Sequence, residues 1–202
     1  SQTGRVHCIT LSSSGSYVVL GTSDATIQLL DTRAGALLHH HRTNDTVRAV
    51  CLSQDSGRLA VGSELTGNRG RARLYNAASG TLVCSWRHDA AVWAVALSPP
   101  DGAMLAVSGF DAKLTLYDSV SFTALQLISF AGLHQHEKMA WSWALSWSDD
   151  GSSLVLGCWN RAMYVYSLRG AHARWRRAYE FVVKYNRKLA GMEEHAIRIP
   201  AK

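Results

Sequence analysis

The sequence predicts an all-β protein built from about four copies of one multi-stranded unit. Three observations predict it. A similar pattern recurs along the chain, with the turn glycines Gly15, Gly57, Gly102 and Gly151 spaced 42, 45 and 49 residues apart. Within each copy, short apolar runs are separated by Ser-Gly or Asp-Gly turns, which read as strand, turn, strand. Several runs alternate with period two, as in Leu114-Thr115-Leu116-Tyr117 and Ile27-Gln28-Leu29-Leu30, the signature of a half-buried strand.

Composition agrees with this class. The chain has 202 residues, 47% of them hydrophobic and 18% charged, which supplies a core and excludes a disordered chain. Three prolines against 16 glycines suit many short strands joined by tight turns. No apolar run is long enough to span a bilayer as a helix; the stretch 90–97 is among the longest and is soon broken. The opening Ser1-Gln2-Thr3-Gly4 has no charged-then-apolar signal pattern and no initiator Met, so either a removed leading segment or a fragment of a longer chain is expected.

The copies can be followed in order. The first runs from Val6-His7-Cys8-Ile9-Thr10-Leu11-Ser12 through Ser14-Gly15 and Tyr17-Val18-Val19-Leu20-Gly21 to Asp24 and Ile27-Gln28-Leu29-Leu30-Asp31. The second holds Val47-Arg48-Ala49-Val50-Cys51-Leu52-Ser53, Ser56-Gly57, Leu59-Ala60-Val61-Gly62 and Ala72-Arg73-Leu74-Tyr75-Asn76. The third holds Val92-Trp93-Ala94-Val95-Ala96-Leu97-Ser98, Asp101-Gly102, Leu105-Ala106-Val107-Ser108-Gly109, Asp111 and Leu114-Thr115-Leu116-Tyr117-Asp118. The fourth holds Trp143-Ala144-Leu145-Ser146-Trp147-Ser148, Asp150-Gly151, Leu154-Val155-Leu156-Gly157, Asn160 and Met163-Tyr164-Val165-Tyr166-Ser167. The Ser-Gly and Asp-Gly pairs supply the positive φ that a tight hairpin needs. A fourth, outer strand is expected at 36–40, 81–86 and 124–128.

One sheet of four strands exposes two faces and cannot bury them alone; stacking such sheets radially covers both. The expected architecture is therefore a β-propeller, with blades near 5–41, 46–88, 91–130 and 139–170. Trp93, Trp143 and Trp147 on the innermost strands are expected to pack between blades.

This pattern resembles the WD40-repeat family over residues 5–167. The Trp-Asp pair that names the family corresponds to Leu30-Asp31, Tyr75-Asn76, Tyr117-Asp118 and Tyr166-Ser167. Its turn aspartate corresponds to Asp24 and Asp111, becomes Asn160 in the fourth copy and is missing from the second. The usual opening Gly-His is absent, with only His88-Asp89 and His39-His40-His41 near that position. The resemblance implies a non-enzymatic scaffold that binds other proteins in a multi-subunit assembly, without a cofactor. The family's rings usually have seven blades, of which this chain supplies about four; the ring could close with four, but an incomplete propeller completed by further sequence or a second chain is favoured.

Two departures from the repeat are candidates for function. The second copy carries an insertion at 64–71, where Arg69 and Arg71 are candidate partner contacts on a lengthened hairpin loop. Trp159, just before Asn160, is a third candidate. Residues 171–202 form a basic segment. They hold eight Lys and Arg against three Glu, whereas residues 1–170 hold 13 against 12. Within it, Arg174-Trp175-Arg176-Arg177 is basic with an embedded aromatic, and Tyr179, Phe181, Val183 and Tyr185 alternate as an outer strand would. A short helix is expected at 187–195 and the start of a further strand at 196–200. The alternative function is an RNA- or ribonucleoprotein-associated propeller whose basic segment touches phosphates. A lipid-binding propeller is disfavoured, because the insertion separates its arginines as Arg69-Gly70-Arg71.

Other chemistries find little support. Cys8, Cys51, Cys84 and Cys158 lack metal-ligand spacing and read as reduced core residues, which points to the cytoplasm or the nucleus. His134 and His136 could share one side of an extended segment, but no third metal ligand lies near them in sequence, so no metal site is expected. Neither a G-x-S-x-G elbow nor an H-E-x-x-H helix is present. The acids Asp24, Asp31, Asp111 and Asp118 recur at equivalent repeat positions, which points to turn architecture rather than a catalytic set.

Overall fold

The computed structural model describes residues 4–130, 141–159, 162–169, 174–185 and 194–200. Seventeen strands occupy these residues, in four antiparallel sheets that each meander in chain order. The first sheet is β1 (Val6–Leu11), β2 (Tyr17–Thr22), β3 (Thr26–Asp31) and β4 (Leu37–Arg42). The second is β5 (Thr46–Leu52), β6 (Arg58–Glu64), β7 (Gly70–Asn76) and β8 (Leu82–His88). The third is β9 (Val92–Leu97), β10 (Met104–Gly109), β11 (Lys113–Asp118) and β12 (Ala124–Ser129). The fourth is β13 (Ser142–Trp147), β14 (Ser153–Cys158), β15 (Ala162–Arg169), β16 (Arg174–Tyr185) and β17 (Glu194–Pro200).

The core lies between the sheets rather than within any one of them. Val19, Ile27 and Leu29 of the first sheet pack with Val47, Val50 and Leu52 of the second. Ala60, Ala72 and Leu74 of the second pack with Val92, Val95 and Leu97 of the third. Ala106, Leu114 and Leu116 of the third pack with Leu154, Tyr164 and Tyr166 of the fourth. The alternation of side chains along each strand sends successive residues to the two neighbouring sheets, so one strand serves two interfaces. The innermost strands touch in the order β1, β5, β9, β13, and no comparable contact joins β13 to β1 among the described residues.

The turn between the first two strands shows why Ser-Gly and Asp-Gly recur. In three sheets a glycine there takes a left-handed backbone, with φ of 68° at Gly15, 72° at Gly102 and 67° at Gly151. The second sheet departs from the sequence expectation: Ser56 takes φ of 60°, and Gly57 does not have a positive φ. The Asp55 carboxylate accepts from the Gly57 N–H at 2.9 Å and from the Ser53 hydroxyl at 2.5 Å, as Asp150 does from Ser152 and Ser148 in the fourth sheet, so Ser56 and not Gly57 fills the slot that Gly151 holds.

The insertion at 64–71 is the end of a hairpin with a five-residue loop. Ser63 pairs with Arg71 and Glu64 with Gly70, so only the residues between Glu64 and Gly70 are loop. The end of the chain also departs from expectation. Glu194 and His195, expected in a short helix, belong to β17, which pairs antiparallel with β16 as a fifth strand of the fourth sheet. Residues 186–193 lie outside the described residues, as do Asn160, His134 and His136.

Candidate functional site

Each innermost strand breaks its ladder at the same place. Pairing with the second strand skips His7 in β1, Arg48 in β5, Trp93 in β9 and Trp143 in β13. A bulge leaves its extra residue unpaired and re-aims its side chain. All four bulges lie at the end of the sheets where the second strand turns into the third, and their side chains meet in a row. The Arg48 guanidinium lies 3.0 Å from His7 Nδ1 and sits over the Trp93 ring, 4.5 Å from its centroid. Trp93 meets Trp143 edge-on at 4.4 Å, and Trp143 meets Trp159 at 5.6 Å. Phe110, in the turn after β10, stacks on Trp93 at 4.9 Å and on Trp141 at 4.5 Å.

The aromatic half of this row is open to solvent, with Trp143 42% and Trp159 64% exposed. The charged half is closed on itself. Arg48 Nε donates to Glu64 Oε2 at 2.7 Å, and a terminal nitrogen lies 2.6 Å from the same oxygen. Trp93 Nε1 is a buried donor without an acceptor among the described residues. Rings stacked at these separations with an exposed edge form an apolar aromatic surface at this end of the sheets.

The residues singled out from sequence fall in several places. Trp159 joins the row. Arg69 is exposed at the tip of the β6–β7 hairpin, whereas Arg71 lies 3.6 Å from Asp45 and is half-buried. Arg73 is buried against both Asp45 and Ser63, a charge pair that the sequence reading missed. Asp24 accepts from the Thr22 and Thr26 hydroxyls, and Asp111 from the Lys113 N–H, so both brace their turns. Arg174, Trp175, Arg176 and Arg177 lie on β16, opposite Arg169, Leu168, Ser167 and Tyr166 of β15. Of the three tryptophans expected between blades, Trp147 packs there and donates from Nε1 to the Ala96 carbonyl at 3.1 Å. Trp93 and Trp143 sit at the bulges and also meet across the third and fourth sheets, at the rim of the interface rather than within the buried core.

Few groups here suit catalysis. Burial pushes the Cys8 and Cys158 thiols up to about 12 and raises that of Cys51, so they stay protonated near neutral pH. All four cysteines are free and half-buried. Among the described residues, no three His, Cys, Asp or Glu are grouped to hold a metal ion.

Known proteins share the fold. The WD domain, G-beta repeat family (WD40) matches residues 80–118. Comparison with curated proteins gives no match. Among solved structures, "Structure of U3-55K" is 13% identical with a TM-score of 0.69, covering 91% of this chain and 59% of that one. "Crystal structure of RRP9 WD40 repeats" is also 13% identical with a TM-score of 0.69, covering 91% of this chain and 58% of that one. The chain thus spans about three fifths of the structures it resembles.

Proposed function

We propose that the chain, whose fold is that of WD40-repeat propellers, works as a non-enzymatic docking platform for other proteins in a larger assembly, with the bulge row as its contact surface. The observation that carries this reading is the joining of all four bulge residues into one row that ends in exposed tryptophans. Trp and Arg dominate the residues whose truncation weakens protein interfaces, by 2 kcal/mol or more at about a thirtyfold loss of affinity. WD40 propellers are typically scaffolds of this kind. In the same reading, the open faces of the first and fourth sheets receive further blades of a larger ring.

A second reading has its own support. The register of β15 with β16 pairs Arg169 with Arg174, and residues 171–202 carry eight Lys and Arg against three Glu. That arrangement suits the phosphates of RNA. Affinity capture with mass spectrometry, run with and without nuclease and at two salt concentrations, separates the two. A stoichiometric protein partner that survives both treatments supports the platform. Loss of every partner to nuclease or salt moves the function to the arginine hairpin, since phosphate contacts weaken steeply with salt.

A further inference from the structure

We propose that the joint between the first and second sheets is proton-sensitive: taking up a proton at His41 loosens the first sheet from the second. The repeat supplies its own comparison. His41 on β4 pairs with Ile27, and Trp86 on β8 pairs with Ala72, so the two hold the same slot on successive outer strands. Each lies on a tyrosine of the next sheet, His41 at 5.8 Å from the Tyr75 ring and Trp86 at 4.7 Å from that of Tyr117. Each also reaches the left-handed residue in the last turn of that sheet, Gly80 with φ of 69° and Phe122 with φ of 61°. There the two joints differ. Trp86 Nε1 donates to the Phe122 carbonyl at 3.1 Å. His41 Nε2 fills the space above Gly80, 2.5 Å from where a Cβ would stand, and is buried without a hydrogen-bond partner among the described residues.

A neutral imidazole can keep its one N–H on Nδ1 and leave Nε2 bare. An imidazolium carries an N–H on both nitrogens, so the added proton has no acceptor at Nε2. Burial, with His39 and His40 adding to it, holds His41 below its usual 6.5. The groups around the ring offer the proton no free counter-charge. From β7 it meets Tyr75, with Arg73 on the same face, and the β7–β8 turn has no ionisable side chain. Asp45 is held by Arg71 and Arg73, and Asp55 by Ser53 and Gly57. On its own strand His40 and Arg42 are exposed, and His39 stacks on it at 6.0 Å. His39 Nε2 donates to the Ala78 carbonyl at 2.8 Å, a bond that protonation leaves intact. At the next joint His88 is also lowered by burial, but Asp111 and Asp89 oppose the shift and the Tyr117 hydroxyl lies 3.2 Å from its Nε2. The unfolded chain therefore takes the proton more readily than the first joint does. The joint is firm above the ordinary 6.5 and loosens as pH falls below it. Among the described residues this joint alone holds the first sheet to the others.

The test is hydrogen exchange of the whole chain, read by mass spectrometry at about pH 7.5 and about pH 5.5 and corrected for intrinsic exchange rates. The expected result is a fall of at least about fivefold in the protection of β3 and β4 at the lower pH, the cost of one buried N–H without an acceptor. Protection of β11 and β12 should change little. His41→Phe keeps a ring on Tyr75 and cannot take the proton, so its β3 and β4 should be equally protected at both pH values. If phenylalanine overfills the space above Gly80, seen as lost protection already at the higher pH, His41→Gln is the smaller variant without a titrating group and carries the same expectation. Equal protection of β3 and β4 in the parent at both pH values overturns the inference. So does a fall shared by β11 and β12, or one that persists in the variant without a titrating group.

Discussion

The first and second sheets present the same residue types at the same repeat positions and meet opposite fates. In β5, Val47, Val50 and Leu52 are buried, none more than 9% exposed, against the first sheet. In β1, the equivalent Val6, Ile9 and Leu11 are 49%, 63% and 61% exposed. The third sheet repeats the second, with Val92, Val95 and Leu97 buried. The strands differ little in pattern; they differ in whether a sheet lies in front of them. In a quasi-one-dimensional stack, burial is a property of the interface between repeats, and an outer repeat shows what its neighbours hide.

The comparison can be broken most severely through charge. The second sheet buries Arg73 on Asp45, whereas Arg5, beside β1, is exposed. Asp45→Ala should leave the guanidinium buried and unpaired and destabilise by about 3–5 kcal/mol, while Arg5→Ala should stay within about 0.5 kcal/mol; denaturant unfolding of both variants measures the difference. The apolar contrast comes next. Leu52→Ala should cost about 2–4 kcal/mol through the cavity it leaves, and Leu11→Ala, at the same repeat position, should cost less than about 0.5 kcal/mol. Equal losses would mean that the first sheet's face is covered in solution.

A smaller effect sharpens the comparison at the turns. Gly15 and Ser56 hold the same left-handed backbone, with φ of 68° and 60°. A Cβ at Gly15 would meet nothing within 4 Å, so the backbone alone decides the outcome. Ser56→Gly should stabilise and Gly15→Ser destabilise, each by about 1 kcal/mol, read as shifts in the unfolding midpoint. The smallest effect should be indifferent to the open face. Backbone N–H groups hold the carboxyls of Asp31, in the first sheet, and Asp118, in the third, below their usual 3.8. Hydrogen bonds from Ser148 and Ser152 lower that of Asp150 to about 2. A lowered carboxyl contributes stability above its unfolded value and loses it as pH falls through the folded one. The carboxyl part of the melting-temperature profile should therefore be flat above about pH 5 and fall from pH 4 towards 2, with Asp31→Asn and Asp118→Asn shallowing the fall equally.

Much of the fold was legible because turn residues and strand periods are local. Gly15, Gly102 and Gly151 could be assigned from their own dipeptides, and the outer strands from three short apolar runs. Gly57 was misread because the dipeptide points to its glycine, whereas the left-handed slot lies three residues after Ser53, as it does after Ser12 and Ser148, and Ser56 fills it. The site was harder to read. A bulge exists only relative to a partner strand, so nothing within β5 or β9 marks Arg48 or Trp93 as the residue left out. One signal was available. Across the repeats, that slot reads His7, Arg48, Trp93 and Trp143, while the slot after it reads Cys8, Ala49, Ala94 and Ala144. Variation at one position beside an invariably small neighbour marks a side chain that the scaffold does not constrain. The pairing of Arg71 and Arg73 was illegible for another reason: their partner Asp45 lies far back in the sequence, where only the fold brings it close.

The central claim is that partners dock on the bulge row and not on the open face of the first sheet, and one paired capture experiment tests it. Trp143→Ser with Trp159→Ser is compared with Ile9→Ser and Leu11→Ser, each against the parent chain, for recovery of the same stoichiometric partner. The account predicts loss of the partner in the tryptophan variant and its retention in the other. Retention in the tryptophan variant with loss in the Ile9 and Leu11 variant would contradict the account and move the interface to the uncovered sheet.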